Sequence, residues 1–180
     1  TFRFFLTHAV SRTRIITAKF IVTLLYTAFM VLFIGGLTLG LSLWAFGSGD
    51  LLIIRQGILV IPEELLPYRF LIAYGLATLA MFVVSTLCFL FSALTDNPIG
   101  PIIATMAVII VSIMVISLPF DLFQVIRPYL FVNYFDAWQK VFDDPIPWGV
   151  IWTNVAILAG FMGAFFLAAL IYFTRKDILS

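Results

Sequence analysis

The chain has 180 residues, 63% of them hydrophobic and only 11% charged, with a mean hydropathy of +1.17. Soluble domains carry about 25% charge, so a water-soluble globule is excluded and an integral membrane protein is expected. The formal net charge of +1 hides an asymmetry between two membrane faces and points to no nucleic-acid partner, and the lone Cys88 excludes an intrachain disulfide or a thiolate metal cluster.

Residues 1–19, TFRFFLTHAVSRTRIITAK, form the one strongly cationic stretch. On a helical wheel Phe2, Phe5, Leu6, Ala9 and Ile16 share one side, and Arg3, Thr7, Ser11 and Arg14 the other. An interfacial helix is expected there, capped by Ser11 and turning into a membrane helix over 14–20. Arg3, Arg12, Arg14 and Lys19 have no acidic neighbour in the stretch, which places this end in the cytoplasm.

Residues 20–46 carry no charge and are long enough to cross a bilayer of about 20 helical residues. Within them Gly36 and Gly40 make a small-xxx-small pair suited to close helix packing. Residues 47–69 hold Gly47, Gly49, Pro62 and Pro67 together with Asp50, Arg55, Glu63 and Glu64. They are too interrupted to span and are expected to form an extracytoplasmic loop with an interfacial segment. Residues 70–94 are the second span, and the short Asp96-Asn97-Pro98 connection leads to a third over 102–119. In the extracytoplasmic stretch 120–148 an amphipathic helix is expected. Leu130, Tyr134, Ala137, Trp138 and Val141 lie on one face, and Asn133, Asp136, Lys140 and Asp143 on the other. The last span covers 149–173, with Gly160, Ala164 and Ala168 on one stripe as helix-packing candidates, and ends at Arg175-Lys176. The expected fold class is therefore all-α, a single polytopic domain over 1–180 with four transmembrane helices. All eight prolines fall in connections or at span ends.

None of the four expected spans contains Asp, Glu, Lys, Arg or His. Ion-coupled carriers place ionisable groups in the membrane, so such a carrier is disfavoured. No HExxH, GxSxG or Walker sequence occurs, and His8 is the only histidine, on the interfacial stretch. No catalytic residue, metal site or cofactor is expected, and any ATP dependence must come from a partner. The basic stretch has two physical roles open to it: holding orientation through anionic headgroups, or docking a cytoplasmic protein.

The run from His8 to Phe20 resembles the coupling-helix region of ABC-2 type ABC transporter permeases. Val10, Ser11, Arg12, Ile15 and Lys19 match that pattern, with Ala9 where proline is usual. The amphipathic piece before the last span is similar to that family's extracytoplasmic re-entrant helices, and Phe173 to Asp177 to its cytoplasmic terminus. The resemblance covers the C-terminal four spans of the family's usual six, so either two N-terminal spans precede this sequence or it is a shortened relative. It implies a non-enzymatic permease subunit of an exporter, multi-pass in the plasma (inner) membrane with both ends of this segment cytoplasmic. It further implies a separate ABC ATPase subunit and a second permease, identical or not, as partners beside the membrane lipids. Phe2, Arg3, Phe5, Leu6, Val10, Arg12 and Arg14 are the implied ATPase-docking residues. The rival expectation is a truncated permease-like structural subunit of a larger membrane complex.

Overall fold

The computed structural model describes residues 12–54, 58–95, 97–119 and 121–175. Helix α1 spans Arg12–Phe46, and a two-stranded antiparallel hairpin follows, β1 Leu51–Ile54 and β2 Ile58–Ile61, with Leu51 opposite Ile61 and Ile54 opposite Ile58. A 3-10 turn, Glu63–Leu65, leads into α2, Leu66–Leu94. Helix α3 is Gly100–Ser117 and α4 the short Asp121–Ile126. Two 3-10 segments come next, Arg127–Tyr129 and Phe131–Phe142, before α5, Trp148–Arg175. Four of these helices, with mean hydropathies between 2.2 and 2.4, are long and apolar enough to cross a membrane. The chain is thus a polytopic helical membrane protein, all-α apart from the hairpin.

Prolines set where the spans begin. Pro67 and Pro101 occupy the first turns of α2 and α3, where a missing N–H leaves no hydrogen bond unmade. Helix α2 starts earlier than the uncharged run implies, so Arg69 belongs to the helix and not to the preceding loop. Helix α1 also starts earlier. It runs unbroken from Arg12, so residues 12–19 continue the span and the expected turn over 14–20 is absent. At 35 residues it is about 52 Å long, well beyond a hydrocarbon core of about 30 Å. Nothing breaks it: the stretch has no proline, and the hydroxyls of Thr17, Thr23, Thr27 and Thr38 bond back to the carbonyls four residues earlier.

Helix α2 is the axis of the bundle and touches α1, α3 and α5. Its buried residues, Ala73, Leu76, Ala80, Val83, Thr86 and Leu87, recur at three- and four-residue intervals along one stripe. Val83 and Leu87 form the largest cluster with Leu158 of α5 and with Phe131. Further out, Leu76 packs with Val141 and Ile151, and Ala73 with Phe142 and Ile61 of the hairpin.

These pairings place residues 131–142 against α2. The segment runs antiparallel to α2, from Phe131 beside Val83 and Leu87 to Phe142 beside Ala73. Twelve residues of 3-10 helix at about 2 Å each extend roughly 22 Å, which matches that climb. The segment therefore lies inside the bundle. Helix α3, with 18 residues, is about 27 Å long, close to the thickness of a hydrocarbon core, and its Val108 and Ile109 pack in the same cluster as Phe131, so the chain turns back after Ser117 before the 131–142 segment begins. The amphipathic face also changes. In 3-10 geometry Phe131, Ala137, Val141 and Phe142 are buried, whereas Trp138, expected on the apolar face, is exposed. Val141 and Ala137 are buried as expected.

Candidate functional site

The expected docking residues divide at the start of the described chain. Phe2, Arg3, Phe5, Leu6 and Val10 lie outside the described residues, and so does the side chain of Arg12. Arg14 is exposed on the first turn of α1, with exposed Lys19 a turn and a half on. Between them only Ile16 turns inward, followed by Phe20. The Phe20 ring stacks on Phe166 of α5 with centroids 4.2 Å apart and tilts against Phe89 of α2 at 5.5 Å. One aromatic residue thus wedges the cationic end of α1 against both neighbouring spans.

Higher on α1 the contact to α2 is polar and close. Thr27 and Ser85 share a hydroxyl hydrogen bond of 2.8 Å, and the Tyr74 hydroxyl donates to the Gly35 carbonyl at 3.2 Å. A Cβ at Gly35 would collide with the Tyr74 ring, so glycine is what lets that ring approach the backbone. The packing residue is therefore Gly35 and not the expected Gly36 or Gly40, which are exposed with open space where a Cβ would be. Helical periodicity explains the shift. The inward stripe of α1 runs through Ile16, Phe20, Thr27 and Gly35, and Gly36 lies about 100° away from it. On α5 the expected stripe of Gly160, Ala164 and Ala168 is likewise exposed, and the buried stripe is Ile151, Asn154, Leu158 and Ala169.

The hairpin end of the bundle holds two features with no forecast in the sequence. Arg69, 6% exposed, donates from Nη1 to the carbonyls of Val141 (3.2 Å) and Asp143 (3.0 Å). These belong to the end of the 131–142 segment, where helical carbonyls have no partner of their own. Its Nη2 lies 3.7 Å from a carboxylate oxygen of Asp144, a residue mostly exposed, so the ion pair adds little beside the two buried bonds. Arg69 is thus a clamp that ties α2 to the segment before α5. Asn154, 5% exposed, is the second feature: its Nδ2 has no hydrogen-bond partner. The buried hydroxyls of Thr86, Thr105 and Ser112, by contrast, are all satisfied by carbonyls of their own helices. An arginine flanked by proline and aromatic residues at a span start looks like a loop cation, and an asparagine within a span start carries no charge to mark it.

A cleft of about 830 Å³ opens at the same end, between the last turns of α1, residues 47–51 and the first turns of α2. Leu39, Leu43, Leu66, Phe70 and Leu71 form its walls, and Asp50 and Glu63 stand at its mouth. The Glu63 N–H donates to Asp50 Oδ1 at 3.0 Å, which holds the two acidic residues together across 13 positions of chain.

No curated protein and no solved structure matches this chain. A family model does, over residues 1–179, and by that match the chain belongs to the family described as "Protein of unknown function (DUF2705)".

Proposed function

We propose that the chain is the membrane-spanning permease subunit of an ABC exporter, non-enzymatic in itself and coupled to a separate ATPase through its cationic first segment. In this reading it lies in the plasma (inner) membrane with the start of α1 and the end of α5 in the cytoplasm, and it pairs with a second permease subunit, identical or not. The charge distribution supports that orientation. Arg3, Arg12, Arg14, Lys19, Arg175 and Lys176 fall at one end, and seven of the nine carboxylates at the other.

The observation that carries the reading is the continuity of α1. A rod from Arg12 to Phe46, with no break between its cationic end and its membrane portion, carries a displacement applied at its first turns across the bilayer. Phe20, wedged on Phe89 and Phe166, passes the same displacement to α2 and α5. A structural subunit would need the surface of α1 but not that wedge.

The test is the composition and activity of the purified complex. An ATPase is expected to co-purify at equal stoichiometry, and Phe5→Ala with Arg12→Ala to release it. Phe20→Ala is expected to keep the ATPase bound but lose the coupling between ATP hydrolysis and transport. A complex with no ATPase, or one retained through all these changes at full coupling, overturns the reading in favour of the structural subunit.

A further inference from the structure

We propose that the cleft at the hairpin end is a binding site for a cationic amphiphile that enters from the membrane leaflet at that end. The cleft exists because α1 and α2 part company there. They are held at Thr27–Ser85 and Gly35–Tyr74, but beyond Gly35 no residue of α1 is buried, and Phe46 is 89% exposed. The hairpin fills the gap only in part: Leu51 of β1 lines one side of the cleft, while Ile61 packs on Ala73 and Phe142. What is left is a wedge closed at its base by the Tyr74–Gly35 bond, walled by leucine and phenylalanine, and open at the top to water.

Its chemistry is sorted by depth. Below the mouth the walls are mostly apolar, with the Tyr74 ring and the Ser42 hydroxyl as the polar-bearing exceptions, and suit an alkyl or aryl tail. The mouth presents Asp50 and Glu63, and among the described residues no cation lines the cleft. The nearest cation of α2, Arg69, is committed to the carbonyls of Val141 and Asp143, and Lys140 lies 3.9 Å from Asp136. By sequence, the two connections 47–69 and 120–148 carry the same sign: Asp50, Glu63, Glu64, Asp121, Asp136, Asp143 and Asp144 outnumber Arg55, Arg69, Arg127 and Lys140. Charge complementarity therefore selects an ammonium or guanidinium headgroup and disfavours a phosphate. A volume of about 830 Å³ is in the range of small-molecule sites. This site goes beyond the coupling proposal and does not depend on it, because occupancy requires no ATPase.

The test uses the full chain in nanodiscs of zwitterionic lipid and a dodecylammonium probe with a photoreactive diazirine in its tail, compared with the uncharged alcohol of the same tail. Labelling is expected on peptides covering 39–46 and 66–71, saturable and stronger for the ammonium. Asp50→Asn with Glu63→Gln keeps an oxygen acceptor at position 50 for the Glu63 N–H. It is expected to weaken binding roughly fivefold to tenfold, the scale of two partly exposed charge contacts. Raising salt on the unmodified protein should produce a loss of the same kind, and Leu71→Trp should abolish labelling by filling the wedge. Equal labelling by alcohol and ammonium, labelling spread along the whole outer face of α1, or, in a parallel sample treated with a bifunctional cross-linker, α1-to-α1 cross-links with no probe adducts in the first would each overturn the proposal. The last outcome would assign the cleft to a second copy of the chain.

Discussion

Over the first turns of α1, from Thr13 to Phe20, only Ile16 and Phe20 are buried, whereas along 131–142 the chain is packed against α2 from Phe131 to Phe142 and then clamped by Arg69. The same contrast holds for whole helices: α2 buries 28% of its most apolar stretch and α1 only 6%. One region is fixed by many independent contacts, and the other by a ring stack, a hydroxyl pair and one glycine. A helix attached at few points is the less constrained of the two.

Substitutions can break this contrast from the packed side first. Phe131→Ala removes a ring set 5.9 Å from both Phe161 and Phe165 and is expected to destabilise the protein by about 3 kcal/mol, read as a lower denaturation midpoint in detergent. Arg69→Met follows at about 2–3 kcal/mol, because it strands the Val141 and Asp143 carbonyls, while Asp144→Asn is expected to change stability by less than about 0.5 kcal/mol. If the two changes proved equal, the ion pair and not the carbonyl clamp would hold the segment. On the α1 side Gly35→Ala forces the Tyr74 ring away from the backbone at a cost of about 1–2 kcal/mol, whereas Gly36→Ala is expected to be near neutral. Comparing the two alanines locates the crossing point directly. The smallest effect, and of opposite sign, is expected from Asn154→Leu. Removing an amide with an unpaired Nδ2 should raise stability by about 1 kcal/mol, and a loss of activity alongside that gain would mark Asn154 as functional.

How far the sequence foretold these features depended on the range of the interactions involved. The span helices were legible because an uncharged run of twenty or more residues must satisfy its backbone internally, and the helix is the local way to do so. The hairpin was missed, although Leu51 to Ile54 and Ile58 to Ile61 are β-branched-rich runs separated by three residues that include Gly57, a recognisable hairpin pattern. The prolines and charges around it have the composition of a loop. Within the chain the packing glycine is Gly35, next to the Gly36–Gly40 pair, because a small-xxx-small pair states that some face is smooth, not which face meets a neighbour. The 131–142 segment is legible as amphipathic, but not its 3-10 winding, which moves Trp138 off the buried face.

The sequence by itself determined the class, the four spans and the segregation of cationic from acidic ends, since each follows from local composition and from the solvation of backbone and charge. Only the tertiary structure decided that Arg69 is a buried clamp, that Gly35 and not Gly36 bears the helix crossing, that Asn154 is left without an amide partner, and that a cleft opens between α1 and α2. The reason is physical. Each of these depends on which surface of one helix lies against another, and helices that are apolar on every side carry no local signal of the face they will turn inward.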